Sequence, residues 1–443
     1  SHYLWKGYFA NTDSIYTGVK SLDRGGVVTL DLKSIEIKKS EIYKSIHIDV
    51  SGRAPRRNIE VVESEIKTAI DYRLIADVPV SFLLSGGVDS SLISYLAGKD
   101  KTIDTYYLGY KDKEDPFEHL STIVSNKVTS NHHIYKMDTP QFSNSLGKMI
   151  DLFDEPFADY SALPSYEIYK KISDKTKVAI SGDGADEIFC GYKDAKLFLI
   201  KSWLQNNLIG KKDITSTDNI YRLLNSRFRS SRMIGNLAAL IYIDEGLFST
   251  TTFRGGWNNV FRREFMTNDG YNKTGKDHVE KSEISSFLNA GKNTVERYLN
   301  YELKKLTYDF LVKVDRTSMA NSLEVRSPYL DTAMIEELNG TSYSCLVSIM
   351  QTKKELKTIL DSYGLGKISN QTKMGFTPPL GIWMLSESGI AELHSMINSD
   401  FINSLFEKSK LSELISTKRS IMVNQGRLWN LMVLNTWHSK HIN

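Results

Sequence analysis

The sequence predicts an α/β protein: a doubly wound parallel sheet, a helical C-terminal part and a short N-terminal β remnant. Three observations lead there. Short apolar runs alternate with helical stretches from Val78 to Ser181. Strand signals fade beyond Gly191 and helical periodicity takes over. Before about residue 46, the Gly25-Gly26 turn and the alternating Thr29-Leu30-Asp31-Leu32 read as short strands.

The elements follow in order. The polar stretch Ser51-Gly52-Arg53-Ala54-Pro55-Arg56-Arg57 reads as a linker, so the expected units are residues 1–50 and 55–443. Ile59, Val62, Ile66, Ile70 and Leu74 recur at helical spacing. Val78 to Leu84 is an apolar run of the kind buried in parallel sheets. A glycine turn and an apolar helix, Leu92 to Leu96, come next. Strand Ile103–Gly109, helix Phe117–Val128, strand His133–Met137, helix Gln141–Phe153, helix Pro164–Ile172 and strand Lys177–Ser181 complete the alternation. Further on, Val295–Leu311 reads as one long helix, and Thr252–Lys276 as a loop rich in Gly, Asn and Lys.

Composition excludes several function classes. The chain has 443 residues, enough for a real core without a disulfide or metal staple. Its 56 Lys and Arg against 53 Asp and Glu leave a charge of +3, which argues against a nucleic-acid coat or a membrane-binding patch. The 2 cysteines, Cys190 and Cys345, are too far apart for a zinc knuckle and suit a reducing cytoplasm. The most apolar window, Met233 to Ile243, is too short to span a bilayer.

Two loops carry chemistry. Ser85-Gly86-Gly87-Val88-Asp89-Ser90-Ser91 lies between a buried strand and a helix. Its glycines allow the backbone to approach an anion, and the helix offers free N–H groups. An acid within such a loop makes sense as a ligand for a divalent cation. Ser181-Gly182-Asp183-Gly184-Ala185-Asp186-Glu187 follows a later strand and crowds three acids beside two glycines. If both strands share a sheet, both loops face one crevice at its carboxyl edge, and Asp89 and Asp186 can share a magnesium ion. Taken alone, the first loop could be a plain capped turn and the second an acidic helix cap.

The first string lacks the lysine of the Walker loop and resembles the S-G-G-x-D-S-S/T pyrophosphate loop of ATP pyrophosphatases. With Ser181–Tyr192 added, the chain resembles the synthetase domain of the glutamine-hydrolysing asparagine synthetases. Asp154-Glu155-Pro156-Phe157-Ala158-Asp159, the block from Val314-Asp315-Arg316 to Pro328-Tyr329-Leu330-Asp331, and Lys373-Met374-Gly375-Phe376 match further segments of that family in order. The resemblance implies a PP-loop fold that binds ATP and Mg2+. It implies that Leu83, Leu108, Ser181 and Gly182 line the adenosine pocket. Ser85, Gly86, Gly87, Asp89, Ser90 and Ser91 hold phosphates, and Asp89 and Asp186 ligate magnesium. Asp183 contacts the amino-acid substrate, Glu187 shapes the same pocket, and Lys373 stabilises adenylation by its charge. Without the family pattern Lys373 reads as a solvated lysine. Arg316, Glu324 and Arg326 read as structural pairs, and Cys190 as a small buried residue where the family more often has glycine.

The implied activity is amide formation from a carboxylate, first aspartate, through an acyl-adenylate attacked by ammonia. Uronic acids of surface polysaccharides and β-lactam or lasso-peptide precursors are alternative carboxylates on the same scaffold. A non-catalytic nucleotide-binding relative is the alternative from another class. Family members begin with a catalytic cysteine on a glutaminase domain, whereas position 1 here is Ser1. Gly7-Tyr8 and Tyr16–Leu22 resemble the tail of that domain. The expectation is therefore a remnant of it, with ammonia taken free or from a separate partner. A homodimer is allowed, and nucleic acid and membrane are not expected as partners.

Overall fold

After a short N-terminal helix come two strands of a separate hairpin, β1 (Gly26–Asp31) and β2 (Glu36–Ile42), paired antiparallel. The computed structural model describes residues 2–10, 14–43, 46–50, 52, 57–111, 115–204, 256–257, 259–274, 278–371 and 377–442. Most of the expected linker, the run Met233–Ile243 and the lysine segment around Lys373 lie outside the described residues.

The main sheet contains β3 (Val80–Leu83), β4 (Ile103–Tyr110), β5 (Ser130–Met137), β6 (Val178–Ile180) and β7 (Glu324–Arg326). Every pairing in it is parallel, in the order β5-β4-β3-β6-β7. Alternation of side chains about the strands feeds two cores. Phe82, Leu84, Ile103 and Ile180 join helices Ile59–Arg73, Val88–Gly98 and Pro116–Lys127 on one face. Tyr106, Leu108, Tyr110 and Ala179 join helix Ala162–Ser173 and the C-terminal helices on the other. The sheet is doubly wound, as the alternation of elements predicts.

Three differences from the sequence reading have physical reasons. β7 was not expected, because Glu324-Val325-Arg326 shows no apolar run. Its edge position lets Glu324 stay exposed, while Arg326 donates to the carbonyls of Arg73 and Ile75 at 2.8 Å each. Val295–Leu311 is two helices, Thr294–Leu306 and Phe310–Met319, divided at Thr307-Tyr308-Asp309. The loop expected at Thr252–Lys276 includes helices Asn259–Phe265 and Asn268–Lys273, with Trp257 fully buried against Phe265 and Phe406.

The first residues also depart from short strands. His2–Lys6 is a helix whose Tyr3, Leu4 and Trp5 are buried. The Tyr3 hydroxyl donates to the Asn430 carbonyl (2.7 Å), and Asn430 Nδ2 donates back to the Tyr3 carbonyl (3.1 Å). Tyr3, Leu4 and Tyr8 share a core with Trp383 and Trp429. Ile48 and Val50 are fully buried in the other core. Both segments therefore pack into the body built by the later residues. Among the described residues no helix is long and apolar enough to cross a membrane.

Removing residues 1–10 uncovers the aromatic core at Trp429 and should cost on the order of 5 kcal/mol. Urea denaturation of the truncated chain measures this; unchanged stability would show that the segment contributes nothing to the core.

Candidate active site

The strand order fixes where the chemistry sits. The chain runs from β3 outward through β4 and β5, then returns to start β6 on the other side of β3. Such a reversal opens a crevice beyond the carboxyl ends of the two central strands. Phe82 pairs with Ile180, so the loops after β3 and β6 leave the sheet side by side.

Their contact is close. A Cβ on Gly182 would lie 2.8 Å from Ser90 N and 2.9 Å from Asp89 Cβ, so only glycine allows the loops to meet. Helix Val88–Gly98 has Gly87 as its N-cap with no side-chain cap, which leaves its first N–H groups open to an anion. Ser85 Oγ and Ser90 Oγ are 2.9 Å apart, and Ser90 Oγ accepts from Ser85 N at 3.1 Å. In the second loop Ser181 Oγ donates to Asp183 Oδ2 at 2.7 Å.

Between the loops lies a residue that the sequence reading missed. Lys353 Nζ donates to Asp89 Oδ1 at 2.6 Å and Oδ2 at 2.5 Å, and forms an ion pair with Asp186 Oδ1 at 2.7 Å. Burial alone would push this ammonium down. The Asp186 and Asp89 carboxylates override it and hold Lys353 well above the ordinary lysine range. Gly191 makes room for the pair: a Cβ there would sit 1.9 Å from Asp186 Oδ1 and 2.0 Å from Lys353 Cε. The neighbouring Cys190 is fully buried with φ +53°, a backbone that favours glycine.

Away from the Ser85–Ser91 loop the crevice becomes acidic and aromatic. Lys313 Nζ donates to Asp159 Oδ2 (2.9 Å) and Ser161 Oγ (2.8 Å) and lies 3.9 Å from the Phe310 ring centre. Burial pushes the Asp183 carboxyl up, against the Ser181 hydrogen bond. Burial, with Asp186 nearby, pushes Glu187 up to about 7, and the Tyr192 hydroxyl donates to its Oε1 at 2.5 Å.

Leu83, Ser85, Gly87, Asp89, Ser90, Leu108, Ser181, Gly182, Asp183, Asp186 and Glu187 all line one cavity of about 810 Å³. That size suits a nucleotide with a smaller second substrate. Gly86 and Ser91 do not line it. Gly86 packs against the Phe117 carbonyl with φ +75°, and Ser91 is fully buried, its hydroxyl without a hydrogen-bond partner among the described residues. Lys373 lies outside the described residues, and Thr377, just beyond it, is on the cavity wall. Asp159, Tyr192 and Lys313 are further lining residues without an assigned role in the sequence reading. Lys353 carries no local sequence signal: only the fold shows that it is the N-cap of helix Lys354–Ser362 and reaches the two loops.

The sequence profile described as Asparagine synthase matches residues 61–439. The chain belongs to the asparagine synthase family. Asparagine synthetase [glutamine-hydrolyzing] 1 of Bacillus subtilis is 23% identical over 388 residues, 87% of this chain and 60% of that protein. A putative asparagine synthetase [glutamine-hydrolyzing] of Mycobacterium tuberculosis is 23% identical over 446 residues, 99% of this chain and 66% of that protein. The chain thus spans 60–66% of the length of these curated relatives. Among solved structures, an NH3-dependent NAD synthetase from Campylobacter jejuni is a distant likeness, with TM-score 0.27, 12% identity, and coverage of 56% of this chain and 96% of that one.

In this asparagine synthase family member the pair of buried Lys313 with half-buried Asp159 braces helix Phe310–Met319 against the turn before helix Ala162–Ser173. Lys313→Met should destabilise the fold by about 1–3 kcal/mol, since it strands the half-buried Asp159 carboxylate. Lys313→Met with Asp159→Leu should recover a large part of that loss in chemical denaturation. Equal stability of wild type and Lys313→Met would contradict the brace.

Proposed function

We propose that the chain is the synthetase part of an ATP-dependent amide-forming ligase, with aspartate as the carboxylate and ammonia as the nitrogen donor. The observation that carries this reading is the contact of the phosphate loop with the acidic loop above the switch point, in a chain of the asparagine synthase family. The relatives' names supply the substrate class, and the open N–H groups after Gly87 suit a phosphate chain.

The chemistry follows from what these residues can do. A carboxylate oxygen of aspartate attacks the α-phosphorus of ATP, and the α,β-bridging oxygen leaves with its electron pair as pyrophosphate. Ammonia nitrogen then attacks the acyl carbon of the adenylate, and AMP leaves with the electrons of the broken C–O bond. One N–H proton must be removed. Asp183, whose carboxyl burial holds above the usual range, is suited to receive it. Leu83 and Leu108 offer apolar surface to the base, Glu187 and Tyr192 shape the far wall, and Lys373 contributes positive charge to the α-phosphate in the transition state.

A magnesium ion fits the donor set. Asp89 and Asp186 present hard carboxylate oxygens to one point that already attracts a cation, the Lys353 ammonium. They would hold the ion, whose part is to neutralise phosphate oxygens. Ammonia comes from solution or from a glutaminase unit.

With Mg-ATP, ammonium and a panel of aspartate, β-amino-acid precursors and uronic acids, aspartate should give substrate-dependent pyrophosphate and AMP. No carboxylate-dependent pyrophosphate from any of them would refute the ligase reading. Lys373→Ala should lower that release by about 100-fold or more while leaving nucleotide affinity within about threefold. Full activity in the variant would remove Lys373 from the mechanism.

A further inference from the structure

Lys353 stands where the proposed metal ligands converge. Its ammonium meets both oxygens of Asp89, at 2.6 and 2.5 Å, and Asp186 Oδ1, at 2.7 Å. The side chain is only 6% exposed, so solvent does not compete for it. Three features keep it there. Lys353 has a left-handed backbone, φ +51°, which a non-glycine residue adopts only when its surroundings impose it. Helix Lys354–Ser362, which follows, is anchored by the fully buried Leu356, Ile359 and Leu360. Gly191 supplies the empty corridor along Lys353 Cε, which any side chain would fill.

We propose that Lys353 is the resident cation of this site. In the nucleotide-free protein it holds Asp89 and Asp186 together and keeps a free divalent cation out, so that metal enters only with a nucleotide. This rests on the reading of Asp89 and Asp186 as metal ligands. A divalent ion would neutralise the two carboxylates better than one ammonium does. To enter, however, it must displace Lys353 and leave a nearly buried charge without its anions, at a cost that can exceed the gain. A bound phosphate chain gives the displaced ammonium a new anionic partner and removes that cost. Metal and nucleotide binding are then positively coupled, and by linkage each raises affinity for the other.

The test uses the full chain and Mn2+ as the metal probe, read by electron paramagnetic resonance with no substrate turnover. Wild type without nucleotide should show no tight Mn2+ site. Lys353→Met should gain one site at least about tenfold tighter than any in wild type. Asp89→Asn added to Lys353→Met should abolish it. The wild-type measurement decides first and depends on no variant. One tight Mn2+ site in wild type that Asp89→Asn removes would overturn the proposal and leave Asp89 as a metal ligand. A folded Lys353→Met protein that gains no site also overturns it. If, in addition, Asp89→Asn leaves Mg-dependent binding of a non-hydrolysable ATP analogue unchanged, the metal-ligand reading itself has failed.

Discussion

Two carboxylates of like charge, Asp89 and Asp186, are forced together by the sheet, and the site depends on a cation between them. Parallel pairing of Phe82 with Ile180 sets β3 beside β6, and the contact at Gly182 presses their loops together. At about 5 Å and an effective dielectric constant of about 20, such a pair repels by about 3 kcal/mol. Lys353 offsets this from a helix more than two hundred residues away from Asp89 in sequence. The Ser85–Ser91 loop, the acidic loop and the Lys354–Ser362 helix are thereby tied into one assembly, and Gly191 is the space that the tie requires.

Much of the fold could be read from local pattern, because local pattern is what shapes it. The runs at Val80–Leu83 and Ile103–Tyr110 are buried on both faces, and they read as strands for that reason. The two Gly-rich loops stood out because backbone contact excludes side chains there. What escaped was set by distant partners. Lys353 is one of two adjacent lysines in the polar stretch Gln351-Thr352-Lys353-Lys354, and nothing local separates the buried one from its neighbour. β7 is three residues long with a charge at each end, and becomes a strand only because β6 offers an open edge. Ser91 matched the motif, but the turn of the helix carries it behind the loop into the core.

The charged groups around the crevice divide by task. Arg326 binds the carbonyls that end helix Ile59–Arg73, and Lys313 binds Asp159 and Ser161, so both position elements around the crevice. Asp183 and Glu187 face the cavity with carboxyls pushed up by burial. The Ser85–Ser91 loop offers the opposite character, uncapped N–H groups at a helix start. One cavity thus has an end lined by open helix N–H groups and an end lined by carboxyls that burial pushes up.

The most direct measurement is a crystal structure of the chain with Mg2+ and a non-hydrolysable ATP analogue. The account predicts the phosphates against the N–H groups that follow Gly87, the base near Leu83 and Leu108, and Asp89 and Asp186 on the metal rather than on Lys353. A nucleotide bound outside this crevice, or one whose phosphates lie at the Lys313 end, would contradict it.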